Sequence, residues 1–160
     1  MRAFSFLETR DSPDVPKEMI MTNLAGGCLC ATIRYRVTAP SLCVSHCHCT
    51  FCRRAAGAAF ITWMTLKTDD LVFTDGQVTE FQSSPGVWRG FCAGCGTALT
   101  YRHDDHDDEI DVAAATLDDQ TAVVPDDHIW TGSMVPWLEF ADSLPRLAMH
   151  HWEHGYPKRD

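Results

Sequence analysis

The stretch Val87-Trp88-Arg89-Gly90-Phe91-Cys92-Ala93-Gly94-Cys95-Gly96-Thr97-Ala98-Leu99-Thr100-Tyr101-Arg102 reads as two strands around a cysteine knuckle. Residues 87–92 and 97–102 flank Cys92-Ala93-Gly94-Cys95-Gly96, a hairpin with metal-ligand spacing at its tip. Gly94 and Gly96 permit the tight turn that aims backbone N–H groups at the sulfurs. A redox Cys-x-x-Cys usually opens a helix in a βαβ setting, whereas these flanks predict strands. The knuckle is therefore read as half of a structural zinc site.

The other half lies upstream, at Cys28 and Cys30. On an extended strand, positions i and i+2 point to one side, so both sulfurs can reach one ion. Two such pairs make a closed, tetrahedral four-cysteine site. Cys47, Cys49 and Cys52 form a separate trio, Cys-x-Cys-x-x-Cys. Three thiolates with no fourth cysteine adjacent leave a coordination position for water, a substrate or a nearby side chain, and open positions mark catalytic zinc. Two other readings stand beside this one: a second closed site completed by His46, His48 or Cys43, and a redox trio without metal. Cys43 otherwise reads as a small buried hydrophobe.

Outward from the cysteines, residues 31–37 alternate, with Ile33, Tyr35 and Val37 on one face and Arg34 and Arg36 on the other. That is a half-buried strand, ended by Pro40. Further strands are predicted over 42–47, 59–66, 71–74, 78–82 and 109–114, with a turn at Asp75-Gly76. One short helix is predicted over 50–58, capped by Thr50. Residues 103–108 read as a polar loop. Short strands and turns throughout predict a mainly β domain. Residues 1–23 read as an N-terminal extension, with Met19 and Met21 as alternative starts, residues 24–146 as the domain, and residues 147–160 as a tail.

The chain has 160 residues, 45% hydrophobic and 22% charged, which suits one globular domain and argues against disorder. No apolar run approaches the roughly 18–20 residues that span a bilayer. The apolar patch Ala3–Leu7 is too short for a signal-peptide core. A net charge of −9 repels a phosphate backbone, so nucleic acid is a poor partner. Eight cysteines spaced as metal ligands rather than as a disulfide framework predict a cytoplasmic protein.

The runs Gly26-Gly27-Cys28-Leu29-Cys30, His46-Cys47-His48-Cys49-Thr50-Phe51-Cys52-Arg53 and Phe91-Cys92-Ala93-Gly94-Cys95-Gly96 together resemble the glutathione-dependent formaldehyde-activating (GFA) family. Ser83-Ser84-Pro85-Gly86, Asp108-Glu109-Ile110-Asp111-Val112, His128-Ile129-Trp130 and Pro136-Trp137 also fit. The resemblance covers about residues 24–146. It implies a zinc-bearing β-tent fold of short antiparallel strands with one short helix. It implies a structural zinc on Cys28, Cys30, Cys92 and Cys95, and an active-site zinc on Cys47, Cys49 and Cys52. The implied activity is that of a carbon–sulfur lyase, joining glutathione and formaldehyde as S-(hydroxymethyl)glutathione.

The residues add chemical reasons. Three anionic ligands blunt zinc's Lewis acidity, and a soft, thiolate-rich site matches an incoming thiol better than a water. A tripeptide thiol carries two carboxylates, so Arg53 and Arg54, directly after Cys52, are candidate substrate anchors; an ordinary solvated helix face is the competing reading. His46 and His48 fall on the strand face opposite Cys47 and Cys49 and read as supporting or packing residues. Trp63, Trp88, Trp130 and Trp137 read as core, with a pocket wall as the alternative. His103, Asp104, Asp105 and His106 read as an exposed loop, and Glu139 and Asp142 have no assignable role. A non-catalytic zinc module is the alternative function. A methionine sulfoxide reductase is a third, weakened by the Cys28-x-Cys30 spacing.

Overall fold

The computed structural model describes residues 24–151; residues 1–23, with Met19 and Met21, and residues 152–160 lie outside the described residues. Among the described residues, ten strands form two sheets and one segment is α-helical. The smaller sheet orders β1 (Leu24–Gly27), β2 (Arg34–Val37) and β5 (Leu71–Asp75). The larger sheet runs β10-β3-β4-β9-β8-β7-β6, with β3 Cys43–Cys47, β4 Ile61–Lys67, β6 Thr79–Ser84, β7 Val87–Phe91, β8 Ala98–His103, β9 Glu109–Ala113 and β10 Asp127–Ile129. The mainly β class and the single helix agree with the sequence reading. The strands are not all antiparallel, however: β10 lies parallel to β3. A parallel partner needs a long crossover, and the chain between β3 and β10 supplies it by building most of the sheet first.

Alternation explains the core. Tyr35 and Val37 of β2, with Ile33 just before it, are buried, and they meet Val44, Met64, Leu66 and Val112 from one face of the larger sheet. Each such side chain, fully buried, contributes about 1.5–3 kcal/mol. The opposite face, carrying Cys47, Trp63 and Ala113, packs with Cys52 and Ile129 around the thiol trio. Leu147, beyond the expected domain boundary, joins this second cluster, and the backbone N–H of Trp130 donates to the carbonyl of Met149 (3.1 Å).

Three local features differ from expectation. Cys28 and Cys30 sit in a turn after β1 rather than on a strand, with Ala31 in the left-handed region at φ 59°. Asp75-Gly76 turns between the two sheets, because β5 pairs with β2 and β6 with β7. The helix α1 (Thr50–Ala56) is capped by Cys49, not Thr50: the Cys49 sulfur accepts the Cys52 backbone N–H at 3.2 Å. Gly57, at φ 61°, ends it.

Gly90 on β7 faces Thr100 so closely that a Cβ would lie 2.1 Å from Thr100 Oγ1 and 2.5 Å from Val78 Cγ1. Gly90→Ala is therefore expected to lower stability by about 1–3 kcal/mol, read from the thermal midpoint. An unchanged midpoint would mean this strand pair has slack.

Candidate metal centres

The hairpin knuckle and the turn after β1 meet. The sulfurs of Cys28, Cys30, Cys92 and Cys95 lie within 4.8 Å of one another. Cys30 Sγ is 3.5 Å from Cys28 Sγ and 3.8 Å from Cys92 Sγ. The Ile33 backbone N–H donates to Cys28 Sγ at 3.2 Å. A hydrogen bond from Thr97 pulls the Cys95 thiol down to about 5, while burial pushes Cys92 up to about 11. Four converging thiols with N–H donors aimed at them could hold a metal ion, and the donor set suits zinc. An ion here would tie the end of the smaller sheet to the β7–β8 hairpin of the larger one.

The second cluster is built by the end of β3 and the first turn of α1. The sulfurs of Cys47, Cys49 and Cys52 also lie within 4.8 Å of one another. Three thiols in contact cannot all ionise without a cation. Cys49, hydrogen-bonded by Cys47 and then Cys52, is pulled down to about 2, whereas Cys47 holds its proton well above the ordinary thiol range. A soft dication removes that conflict, so the trio fits a metal.

Among the described residues, no fourth donor completes this trio. The Cys43 thiol donates to Thr65 Oγ1 (3.3 Å), and burial pushes it up to about 12. His46 is hydrogen-bonded to Thr62 (2.8 Å). His48 is fully buried, and its Nε2 lies 2.9 Å from His128 Nδ1. His128 Nε2 in turn lies 3.2 Å from the Asp142 carboxylate. His46 and His48 are thus both engaged away from the trio, with burial holding His48 down to about 4.

Cys49 and Cys52 open onto a groove of about 600 Å³, whose walls include Phe51, Arg89, Tyr101 and Trp130 and carry no aspartate or glutamate. The basic residue here is Arg89, which the sequence reading missed. Its Nη2 and Nη1 donate to Cys52 Sγ at 3.7 and 3.8 Å, and its guanidinium lies 5.1 Å from the Tyr101 ring centroid. Arg53 is occupied elsewhere: Nε donates to the His48 carbonyl (3.0 Å) and Nη2 to that of Ser133 (2.9 Å). Arg54 is exposed, and neither it nor Arg53 lines the groove. Trp137, 70% exposed, belongs to neither core nor groove. His103 and His106, expected in an exposed loop, are half-buried and line a second cavity.

Residues 23–133 match the family described as glutathione-dependent formaldehyde-activating enzyme. The chain belongs to this family. A crystal structure of a Rhodobacter sphaeroides protein is similar to this GFA-family chain at 25% identity and a TM-score of 0.50, over 59% of this chain and 87% of that one. No curated protein matches. Both thiol clusters of this GFA-family chain fall inside the matched region. The helix-cap cysteine is therefore part of the family's own domain, and so is most of the groove it opens onto, whose wall Ala148 and Met149 complete from beyond the match.

Burial holds the Asp111 carboxyl up to about 7, beyond what its bond from Thr65 can offset. Between its unfolded value near 3.8 and that value, the folded chain keeps a proton that the unfolded chain has released, so this group's contribution to stability falls as pH rises across the window. Asp111→Asn is thus expected to gain stability relative to the parent from pH 4 to pH 7, with the difference levelling off above that. Thermal midpoints across pH check this, and a difference independent of pH would contradict it.

Proposed function

We propose that this protein is a zinc-dependent carbon–sulfur lyase that forms and cleaves thiol–aldehyde adducts, with glutathione and formaldehyde as its substrates. The observation that carries this reading is the three-thiol cluster opening, without a fourth protein donor among the described residues, onto an acid-free groove. Cys28, Cys30, Cys92 and Cys95 would hold the structural ion, and Cys47, Cys49 and Cys52 the one at the active site. Zinc held by Cys47, Cys49 and Cys52 would supply a soft position that favours an incoming thiol in its thiolate form at neutral pH. The rest is the work of the chain's own residues. Arg89 pairs with a substrate carboxylate in a groove whose walls carry no carboxylate of their own. Phe51 and Trp130 cover the thiol's apolar stem. Arg53 fixes the helix to the His48 and Ser133 carbonyls, so that Cys49 and Cys52 keep their places.

The alternatives have less support. A closed module needs His46, His48 or Cys43 in the trio, and each is engaged elsewhere. A methionine sulfoxide reductase needs a separate catalytic cysteine, and Cys43 is buried with its thiol raised to about 12. Among the described residues no helix is long and apolar enough to cross a membrane. We place the protein in the cytoplasm, because its eight cysteines are all free thiols.

Native mass spectrometry on protein purified without chelator tests the reading. Two zinc ions and a retained glutathione adduct are expected, followed by formaldehyde consumption above the uncatalysed rate. Two ions that exclude every thiol would sink it. Arg89→Ala is expected to raise the half-saturating glutathione concentration roughly tenfold, the worth of a charge-assisted pair. Arg53→Ala should instead lower the thermal midpoint. The reverse pattern would return the anchoring role to Arg53.

A further inference from the structure

A second cavity, of about 100 Å³, adjoins the thiol trio. Cys47 lines it, whereas Cys49 and Cys52 line the groove, and Tyr101, His103 and Trp130 wall both spaces. Two reactants could therefore approach one cluster from two compartments.

Strand register explains what faces the cavity. Cys43 pairs with Thr65, Thr65 with Asp111, Asp111 with Tyr101, and Tyr101 with Arg89, one row across β3, β4, β9, β8 and β7. Thr65, Asp111 and Tyr101 line the cavity, and Arg89 at the end of the row lines the groove. The Thr65 hydroxyl donates to Asp111 Oδ1 at 2.5 Å, which fixes the carboxyl group. Trp63, Ile110 and Ile129 give apolar walls. The space takes about three water-sized groups, which suits a carbonyl compound of one to three carbons and excludes a tripeptide.

We propose that this cavity is the carbonyl subsite, and that Asp111 is the catalytic residue that protonates the carbonyl oxygen as the carbon–sulfur bond forms. The proposal rests on the thiol–aldehyde reading above. A sulfur lone pair forms the C–S bond and the C=O π pair moves to oxygen. The Asp111 proton passes to that oxygen. The carboxylate is reprotonated, through solvent, by the proton the thiol released on binding, so no oxidant or reductant is needed. In reverse, the Asp111 carboxylate takes the hydroxyl proton and the sulfur departs as thiolate. Burial keeps the Asp111 proton in place up to about pH 7, reinforced by negative charge at Glu109. The other titratable and charged groups around it are Cys43 and Cys47 on β3, Tyr101 and Arg102 on β8, and the cavity imidazoles of His103, His106 and His150.

The test uses the metal-loaded full chain. Acetamide, an unreactive carbonyl probe, is titrated while the 13C carboxyl resonance of Asp111 is followed, with Asp111→Asn assigning the signal. A saturable shift is expected; none would overturn the subsite, whatever the protein's reaction. For catalysis, Asp111→Asn retains the acceptor for Thr65 and is expected to lower kcat roughly 100-fold, within the usual worth of a general acid, with half-saturating glutathione unchanged. The parent's kcat should fall as pH rises through 7, and the variant's residual rate should not. An unchanged kcat would overturn the proton-transfer role. A parent no faster than the uncatalysed reaction would remove the thiol–aldehyde reading and that role together, while the acetamide shift would still decide the cavity.

Discussion

Cys92→Ser is expected to unfold the domain. Cys92 is buried at the start of the hairpin knuckle, and its sulfur stands 3.8 Å from that of Cys30, far away in sequence. Serine is a poor zinc ligand, so the site drops to three donors and the ion is lost. Structural zinc contributes on the order of 10–16 kcal/mol of apparent binding free energy in small modules, against a total stability of about 5–15 kcal/mol for a typical domain. The lost ion also unties the smaller sheet from the β7–β8 hairpin. Circular dichroism should show loss of the cooperative melt, and zinc analysis should show less than one ion at that site. A variant melting within a few degrees of the parent would show that the sheets hold together without the staple.

The two cysteine clusters were legible because ligand spacing is local. Cys92 and Cys95 are three positions apart, and a turn alone brings them together. The strand over 31–37 was legible for the same reason, since alternation of Ile33, Tyr35 and Val37 needs no knowledge of partners, although the ladder itself begins at Arg34. What could not be read was register. Arg89, Tyr101, Asp111 and Thr65 face one another only because β7, β8, β9 and β4 pair as they do. Nothing near Arg89 distinguishes it from Arg53, whose adjacency to Cys52 made it the more obvious anchor. In the fold that adjacency turns Arg53 back onto the carbonyl of His48, whereas Arg89 reaches the sulfur from another strand. The His48–His128–Asp142 chain is similar: it depends on β10 adding in parallel beside β3, a pairing with no hairpin signal. Asp142 acquires its role only through that pairing.

Cys49→Ser separates chemistry from fold. Cys49 has two duties: it is one of the three thiols, and its sulfur caps α1 by accepting the Cys52 N–H at 3.2 Å. Serine preserves the second duty, because its hydroxyl oxygen is among the preferred helix-cap acceptors, and a lost cap would otherwise cost about 1 kcal/mol. It removes the first, leaving two thiols that bind zinc far more weakly. The variant is therefore expected to carry one zinc per chain instead of two, to melt within about 5 °C of the parent, and to lose thiol–aldehyde activity to the uncatalysed rate. Zinc content, thermal midpoint and formaldehyde consumption, measured on one preparation, check all three. Midpoints as low as those of Cys92→Ser would make the trio a second structural staple. Full activity with one zinc would move the reaction away from the trio and leave the groove beside it as a binding site only.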